Sequence, residues 1–511
     1  MIGFSVYLGK GQHSQVDYYV GGRNLPWWAV GISTMATQTS AISFISVPAF
    51  VALNPNGGLI WLQYELAVPL SIIAVMVTLV PFFRKMELIS VYEYLELRFS
   101  PSVRYLMSGV FLISRGLATG VLVYASGIVL SVCLDIPIWS TILIIGVVTV
   151  VYDTIGGMAA VVYSDVIQMG ILVAGVAICI VYAAIEVGGI EAVITSFPPE
   201  RWKAIDFSTG LGDGSTTPFW GFLIGSFFLY VSYYGTDQSQ VQRELSAPST
   251  EDTRRSLFFN GLARFPLTII YTFLGISLSA VLLVSPELKS LVPKDQLDYM
   301  VPLFILHHLP TGIKAILFAA ILAASMSSLD SALNSLSAAT MNDFIRRKNS
   351  ISKNNILILS KLTTVLWGIA ITGFAFLVGN ISPTVIESIN KIGSAFYGPI
   401  LAAFLSGILS KRATSTAVFT GVITGVGFNL FLWIALPDVF WMWWNLFGLM
   451  VSITTTIIIS LISKPPGEKA AKYTLICGGT LKHEKKRIKW YLLLACYSVL
   501  IFVFMVLISR K

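Results

Sequence analysis

Charge is what this chain of 511 residues has least of: Asp, Glu, Lys and Arg make up 12% of it, against 55% hydrophobic residues. A soluble domain of ordinary composition carries about 25% charged residues, so most of this chain is built for lipid rather than water. Cysteine is scarce as well. Cys133, Cys179, Cys477 and Cys496 are scattered, mostly within apolar runs, and lack any pairing or metal-ligand spacing, which reads as free buried thiols. The four histidines include His307 and His308 in an expected external loop, without the helical HExxH context of a zinc site. No GxxxxGKS/T stretch is present, so there is no P-loop with which to use ATP directly. No polar stretch is long enough for a fused kinase, nuclease or ATPase module. No nucleophile–base or metal constellation occurs either, which argues against an enzyme.

What fills the chain instead is a series of apolar runs of about 20 residues, each long enough to cross a bilayer as a helix. Thirteen are expected, near 26–52, 58–82, 104–133, 137–155, 163–185, 217–237, 256–285, 312–341, 356–379, 384–409, 414–436, 440–463 and 489–509. The fold class expected is therefore an all-α, multi-pass membrane protein. Met1–Leu8 is an apolar stub too short to span, and nothing there resembles a cleaved signal peptide.

The net charge of +8 is distributed as a topology signal. Arg84, Lys85, Arg98 and Arg104 lie between spans 2 and 3; Arg243, Arg254 and Arg255 follow span 6. Arg346, Arg347, Lys348 and Lys353 follow span 8, Lys411 and Arg412 follow span 10, and Lys482, Lys485, Lys486 and Arg487 precede span 13. These are alternate loops, and the positive-inside rule puts them in the cytoplasm together with the N-terminus. Such placement argues against a nucleic-acid partner.

Polar residues inside the apolar runs carry the chemistry. In span 8, Ser325, Ser327, Ser328, Asp330, Ser331 and Asn334 interrupt Ile321–Ser337. Positions 324, 327, 328 and 331 fall at i, i+3, i+4 and i+7, on one helical face. Hydroxyls with a carboxylate beside them suit a small hard cation; serine glue between packed helices accounts for the same stripe. Span 1 is interrupted by Thr34–Ser43, a cluster that is costly in mid-membrane unless it lines a cavity, though a Ser/Thr packing face would also explain it. Span 2 carries Gln63 and Glu65, and span 10 carries Glu387 and Asn390. Arg115 lies about eleven residues into span 3, where a lone Arg costs about 3 kcal/mol or more on insertion scales. A snorkelling or ion-paired Arg is one reading; an Arg facing a cavity and favouring an anionic solute is the other. Asp153–Gly157 reads as the turn between spans 4 and 5, with Asp165 at the start of span 5. The run Tyr233–Arg243 makes the end of span 6 a second broken helix. Breaks in spans 1 and 6, five helices apart, predict two inverted repeats, 26–185 and 217–409, preceded by a stub and polar approach over 1–25 and followed by additional helices over 414–511. That is the pattern of secondary transporters, whose sites lie at broken helices near the midplane.

Six stretches carry a specific resemblance: Asp17-Tyr-Tyr-Val-Gly-Gly-Arg23, Ala36–Pro48, Val91–Phe99, Gly156-Gly157 with Tyr163–Gln168, Asp237–Arg243 and Ala323–Ser337. In this order, across nearly the whole chain, they resemble the sodium/solute symporter family of sodium-coupled sugar, sialic acid, proline, iodide and monocarboxylate carriers. The resemblance implies a LeuT-type five-plus-five core in spans 1–10, with spans 11–13 added, in the cell (inner) membrane. It implies a complete helix before span 1, of which Met1–Leu8 looks like the end. It also implies a sodium ion held by the carbonyls of Ala36, Thr39 and Ala324 and the hydroxyls of Ser327 and Ser328. A second sodium would involve Asp165, with Asp330 and Ser331 opposite. For the solute it points to Gln38, Ser40, Ser43, Gln63, Glu65, Arg115, Tyr233 and Asn390, with Arg115 on a carboxylate. The implied activity is sodium-coupled uptake of a small organic solute by a monomeric unit in the lipid bilayer. Sialic acid or another carboxylate-bearing sugar ranks first, a neutral sugar or polyol second and a monocarboxylate third. A channel or transporter-like sensor is the rival, disfavoured because the chain contains its own repeat and no signalling domain.

Overall fold

The computed structural model describes residues 14–39, 41–86, 88–213, 217–345, 353–377, 381–382, 384–467, 472–474 and 487–510. Among these residues the regular structure is entirely helical. Ten helices are long and apolar enough to cross a membrane, and the bent pair Trp27–Gln38 and Ile42–Leu53 makes an eleventh span. The shorter Ile138–Val151 and the stretch Gly221–Thr236, a π-helical turn running into Ser226–Thr236, correspond to expected spans 4 and 6. Each of the thirteen apolar runs thus has a helical counterpart. Large apolar side chains left exposed, such as Leu377, Ile434 and Ile462, form the lipid-facing surface that such a composition requires.

Two helix breaks organise the interior. Span 1 bends by 47° between its halves: Trp27–Gln38 ends at Thr39, whose backbone (φ −103°, ψ 75°) leaves the helical region. Span 6 ends at Thr236, and Asp237 (φ −76°, ψ 122°) starts a separate short helix, Gln238–Glu244. Asp237 caps that helix, accepting from the Ser239 N–H at 2.8 Å and the Ser239 hydroxyl at 2.5 Å, as N-cap aspartates do. Spans 4 and 5 differ from the sequence expectation. The run Asp153–Gly157 forms no extended turn; helical backbone continues through Ile138–Val187 apart from Gly157 (φ 61°, ψ −173°). A glycine alone suffices there because positive φ carries no Cβ penalty for it.

Span 7 packs along both halves of span 1, span 8 against span 3 and the continuous helix Ile138–Val187, and span 6 between spans 2 and 10. Spans 11 and 12 pack together closely. A Cβ at Gly421 or Gly425 would collide with Ser452 and Thr456, the small-residue contact by which helices associate in lipid.

Several basic residues do more than set topology. Arg98 donates to the carbonyls of Gly407 (3.1 Å) and Ser410 (2.6 Å), closing the C-terminal end of span 10. Arg201 does the same for span 1, donating to Val51 (2.9 Å) and Asn54 (3.0 Å). Guanidinium groups satisfy helix-end carbonyls and complement the dipole there. Arg104 bonds Glu96 at 2.9 Å and Asp343 at 2.6 Å, tying the start of span 3 to the end of span 8.

Candidate solute cavity and cation face

A cavity opens where the bend of span 1 meets spans 2, 3, 6, 7 and 10. Thr37, Gln38, Thr39 and Ser43 from span 1, Tyr64 and Glu65 from span 2, Arg115 from span 3, Tyr233 from span 6, Arg264 from span 7 and Asn390 and Tyr397 from span 10 line it, among apolar neighbours such as Ile42, Trp61 and Ile386. Six of the expected solute residues therefore share one cavity: Gln38, Ser43, Glu65, Arg115, Tyr233 and Asn390. Ser40 lies outside the described residues. Gln63 is turned elsewhere. It does not line the cavity, and its Oε1 accepts from the backbone N–H of Asp206 at 3.1 Å.

Most polar groups in this wall satisfy one another. Tyr64 donates to Asn390 Oδ1 at 2.8 Å, Tyr234 to Gln38 Oε1 at 2.5 Å, and Gln240 Nε2 to the Tyr233 hydroxyl at 2.7 Å. Glu65 is committed as well. Arg264 Nε lies 2.7 Å from Glu65 Oε2 and its Nη2 3.1 Å from Oε1, while Nη2 also donates to Tyr230 at 2.8 Å. Both charged partners are almost fully buried. Glu65 thus serves as the counter-ion of Arg264 rather than as a free sugar-binding carboxylate. Arg115 contrasts with it. Its side chain is 5% exposed, its Nε has no hydrogen-bond partner, and its electrostatic neighbours are Tyr233, Tyr397 and Asp237. Asp237 is itself engaged in capping. A guanidinium so placed can take a carboxylate in the forked geometry that suits it.

The expected cation residues lie on the bend of span 1 and on span 8. The helix ends at Gln38, so Ala36 lies in its last turn, the part of a helix whose carbonyls commonly look outside it for donors. The Met35 carbonyl is taken, by the Thr39 N–H at 2.8 Å and the Thr39 hydroxyl at 2.6 Å. Ala324 and Ser328 are buried on span 8, which touches both halves of span 1. The Ser328 hydroxyl has no partner. Ser327 lies in the same helix, but its side chain is outside the described residues.

The acids proposed for a second cation behave differently from each other. Asp165 accepts a hydrogen bond from Ser33 and faces Arg243, Nη2 to Oδ2 at 3.7 Å. Arg243 also donates from Nε to Ser33 at 2.9 Å. A resident cation thus already stands beside Asp165. Asp330 is 1% exposed, and neither carboxylate oxygen has a partner. Ser331 is buried next to it in sequence, and Asn334, one turn on, keeps a free Nδ2 while its Oδ1 accepts from Gln242 at 2.7 Å.

A family model described as the sodium:solute symporter family matches residues 18–425. The chain belongs to that family. It is accordingly a sodium-coupled symporter and a multi-pass membrane protein, and not an enzyme. Among its relatives, the sodium/sialic acid symporter NanT of Aliivibrio fischeri is 29% identical over 468 residues, covering 90% of each chain. The sodium-coupled monocarboxylate transporter 1 of Mus musculus is 30% identical over 440 residues, 85% of this chain and 70% of that one. A solved substrate-bound, outward-open Na+-coupled sialic acid symporter superposes with a TM-score of 0.80 at 27% identity, over 91% of this chain and 96% of that one. The all-α, LeuT-type membrane fold expected from the sequence is the fold found.

Sequence reasoning passed over Arg264, Tyr64 and Tyr397. Arg264 had a usable signal, an arginine inside the apolar run 256–285 comparable to Arg115 in span 3. Tyr64 and Tyr397 had none, since aromatic residues in apolar runs are ordinary core.

Proposed function

We propose that this protein imports a monoanionic organic acid together with sodium across the cell (inner) membrane, by alternating access within a monomer built on two inverted repeats, 26–185 and 217–409. The guanidinium of Arg115 on the cavity wall, whose Nε has no hydrogen-bond partner, carries this reading. Counting Glu65 against Arg264 leaves one positive charge facing the cavity, which suits one carboxylate and disfavours a neutral sugar. Sialic acid is the first solute, in keeping with the named relative and the likeness to a sialic acid symporter. A simple monocarboxylate is the second, supported by the other relative and the aromatic lining.

Sodium at Ala36, Thr39, Ala324, Ser327 and Ser328 would join the bend of span 1 to span 8, hold the outward-open form together and be released as the two separate. At about −100 mV and a roughly tenfold gradient, each Na+ supplies about 3.7 kcal/mol. A monoanion entering against the potential uses about 2.3 kcal/mol of that, leaving accumulation of only about tenfold. Two ions would leave roughly 5 kcal/mol. The second ion is assigned to Asp330 and Ser331, with Asp165 held back by Arg243.

Uptake of radiolabelled N-acetylneuraminate into reconstituted vesicles, with an inward sodium gradient and without it, tests the proposal. Sodium-dependent uptake that lactate competes weakly is the expected result. Absence of sodium-dependent uptake of both acids would sink it.

A further inference from the structure

Between the ends of spans 10 and 12, on the side that the basic loops mark as cytoplasmic, lies an apolar groove of about 320 Å³. Leu405 and Leu409 line it from span 10, and Ile453, Ile457 and Leu461 from span 12. The last three stand at i, i+4 and i+8, on one helical face. Leu409 (53%), Ile457 (53%) and Leu461 (59%) are exposed, so among the described residues no other helix closes over this face. Arg412 completes the lining, donating from Nη2 to the Leu461 carbonyl at 3.3 Å. Lys411 precedes it, and Lys464 lies just past the end of span 12 at Ile462. All three basic residues are exposed, and among the described residues none of them has an acidic partner. None of the groove residues lines the solute cavity.

We infer that this groove binds one anionic phospholipid of the cytoplasmic leaflet, with an acyl chain lying between spans 10 and 12 and the phosphate held by Arg412, flanked by Lys411 and Lys464. Spans 10 and 12 cross the bilayer, so an exposed apolar face between them meets hydrocarbon. The stretch from Ile453 to Leu461 runs about 12 Å at 1.5 Å per residue, room for part of an extended chain to lie along it. Apolar contact alone selects nothing here, because lipid tails are as apolar as the leucines they touch. Selection therefore falls to the headgroup. Each basic residue near the membrane surface adds to the attraction for a net negative headgroup, whereas a zwitterionic headgroup brings an ammonium of its own. The Arg412 guanidinium has N–H donors beyond the one on Leu461, in the planar fork that suits a phosphate. Charge also argues against a second copy of the chain as the occupant. Two-fold pairing would set this basic rim against itself, like charge on like.

The test uses the full-length protein, delipidated in mild detergent and titrated with phosphatidylglycerol or phosphatidylcholine of the same acyl chains, with bound lipid counted by native mass spectrometry. One phosphatidylglycerol should bind about tenfold or more tightly than phosphatidylcholine. Two variants probe the two halves of the site. The double variant Lys411→Gln with Arg412→Gln removes exposed charge and should lower that preference about tenfold. Ile457→Trp fills the groove without touching charge and should abolish the single tight adduct. A control pair elsewhere on the cytoplasmic side, Arg255→Gln with Lys489→Gln, should leave the preference in place. Equal binding of the two lipids by the wild type, or a preference that falls as far in the control pair as in the Lys411/Arg412 variant, would overturn the inference. So would an adduct that survives Ile457→Trp, which would place the lipid on the basic surface and not in the groove. Competition by inorganic phosphate would make it a free-anion site, and dimer masses in place of lipid adducts would make this face an interface between copies; either result overturns the lipid assignment.

Discussion

The solute cavity and the polar face of span 8 are both buried, polar and set against the bend of span 1, yet they leave opposite groups unpaired. In the cavity, Glu65, Tyr64, Gln38 and Asn390 are all bonded, and the atoms left over are mainly guanidinium nitrogens of Arg115 and Arg264, with the Tyr271 hydroxyl beside them. On span 8 the atoms left over are mainly oxygens, the Ser328 hydroxyl and both oxygens of Asp330, with the Asn334 amide the exception. Buried polar groups are normally satisfied within the protein, so the kind of group left over states what each region is suited to receive. Free donors ask for an anion or an acceptor; free oxygens ask for a cation. One fold thus keeps two binding chemistries apart by deciding which of its own charges to neutralise.

The largest effect should come from spoiling the neutralisation inside the cavity. Glu65→Gln leaves Arg264 charged without its counter-ion, and breaking a buried pair this way costs about 3–5 kcal/mol. A lowered melting temperature in detergent, largely regained on adding Arg264→Met, is the expected outcome; a single variant as stable as the double would break the distinction between paired and free groups.

Arg115→Gln should lower kcat/KM for a carboxylate solute about hundredfold, as loss of a charge-assisted, forked contact in a dry site predicts. Normal folding is expected, because Asp237, the carboxylate whose charge Arg115 feels most, keeps its two bonds to Ser239. An equal loss of stability would show that Arg115 is structural instead.

On the cation face, Ser328→Ala should raise the sodium concentration for half-maximal uptake about tenfold, the value of one oxygen ligand taken as a hydrogen bond to a charged group, and leave solute competition at saturating sodium unchanged. Sodium dependence that does not move would remove Ser328 from the cage.

The smallest and most diagnostic effect concerns Asp330. Asp330→Asn should reduce the steepness of the sodium dependence from two ions towards one, and cut solute accumulation at fixed gradient, with little change in the first ion's affinity. The same change at Asp165 would disturb Arg243 and Ser33 and appear mainly as lost stability. Should Asp165→Asn, not Asp330→Asn, lower the steepness, the contrast between the two acids would be reversed.

Much of the frame was legible from residues alone. Hydropathy is a local property, so the spans emerged as runs; the polar clusters at Thr34–Ser43 and Tyr233–Arg243 marked the two breaks because a helix in lipid cannot be interrupted cheaply. Arg115 stood out for the same reason. The turn at Asp153–Gly157 was over-read, since a single left-handed glycine does the work expected of five residues. Gln63 and Glu65 were grouped by proximity in span 2, whereas two residues of helix turn Gln63 to the Asp206 backbone and Glu65 to Arg264.

Composition and periodicity by themselves determined that this chain is a helical membrane protein with broken spans, alternate basic loops and oxygen-rich and cationic residues at membrane depth. Only the tertiary structure decided which of those residues are spent on one another. Glu65 meets Arg264 across 199 positions of chain, and Ser33 meets Asp165 across 132, and nothing in local sequence encodes such encounters. The physical reason is that neutralisation is pairwise and acts through space, so a carboxylate reads the same in the sequence whether it is already paired, as Asp165 is, or still open, as Asp330 is.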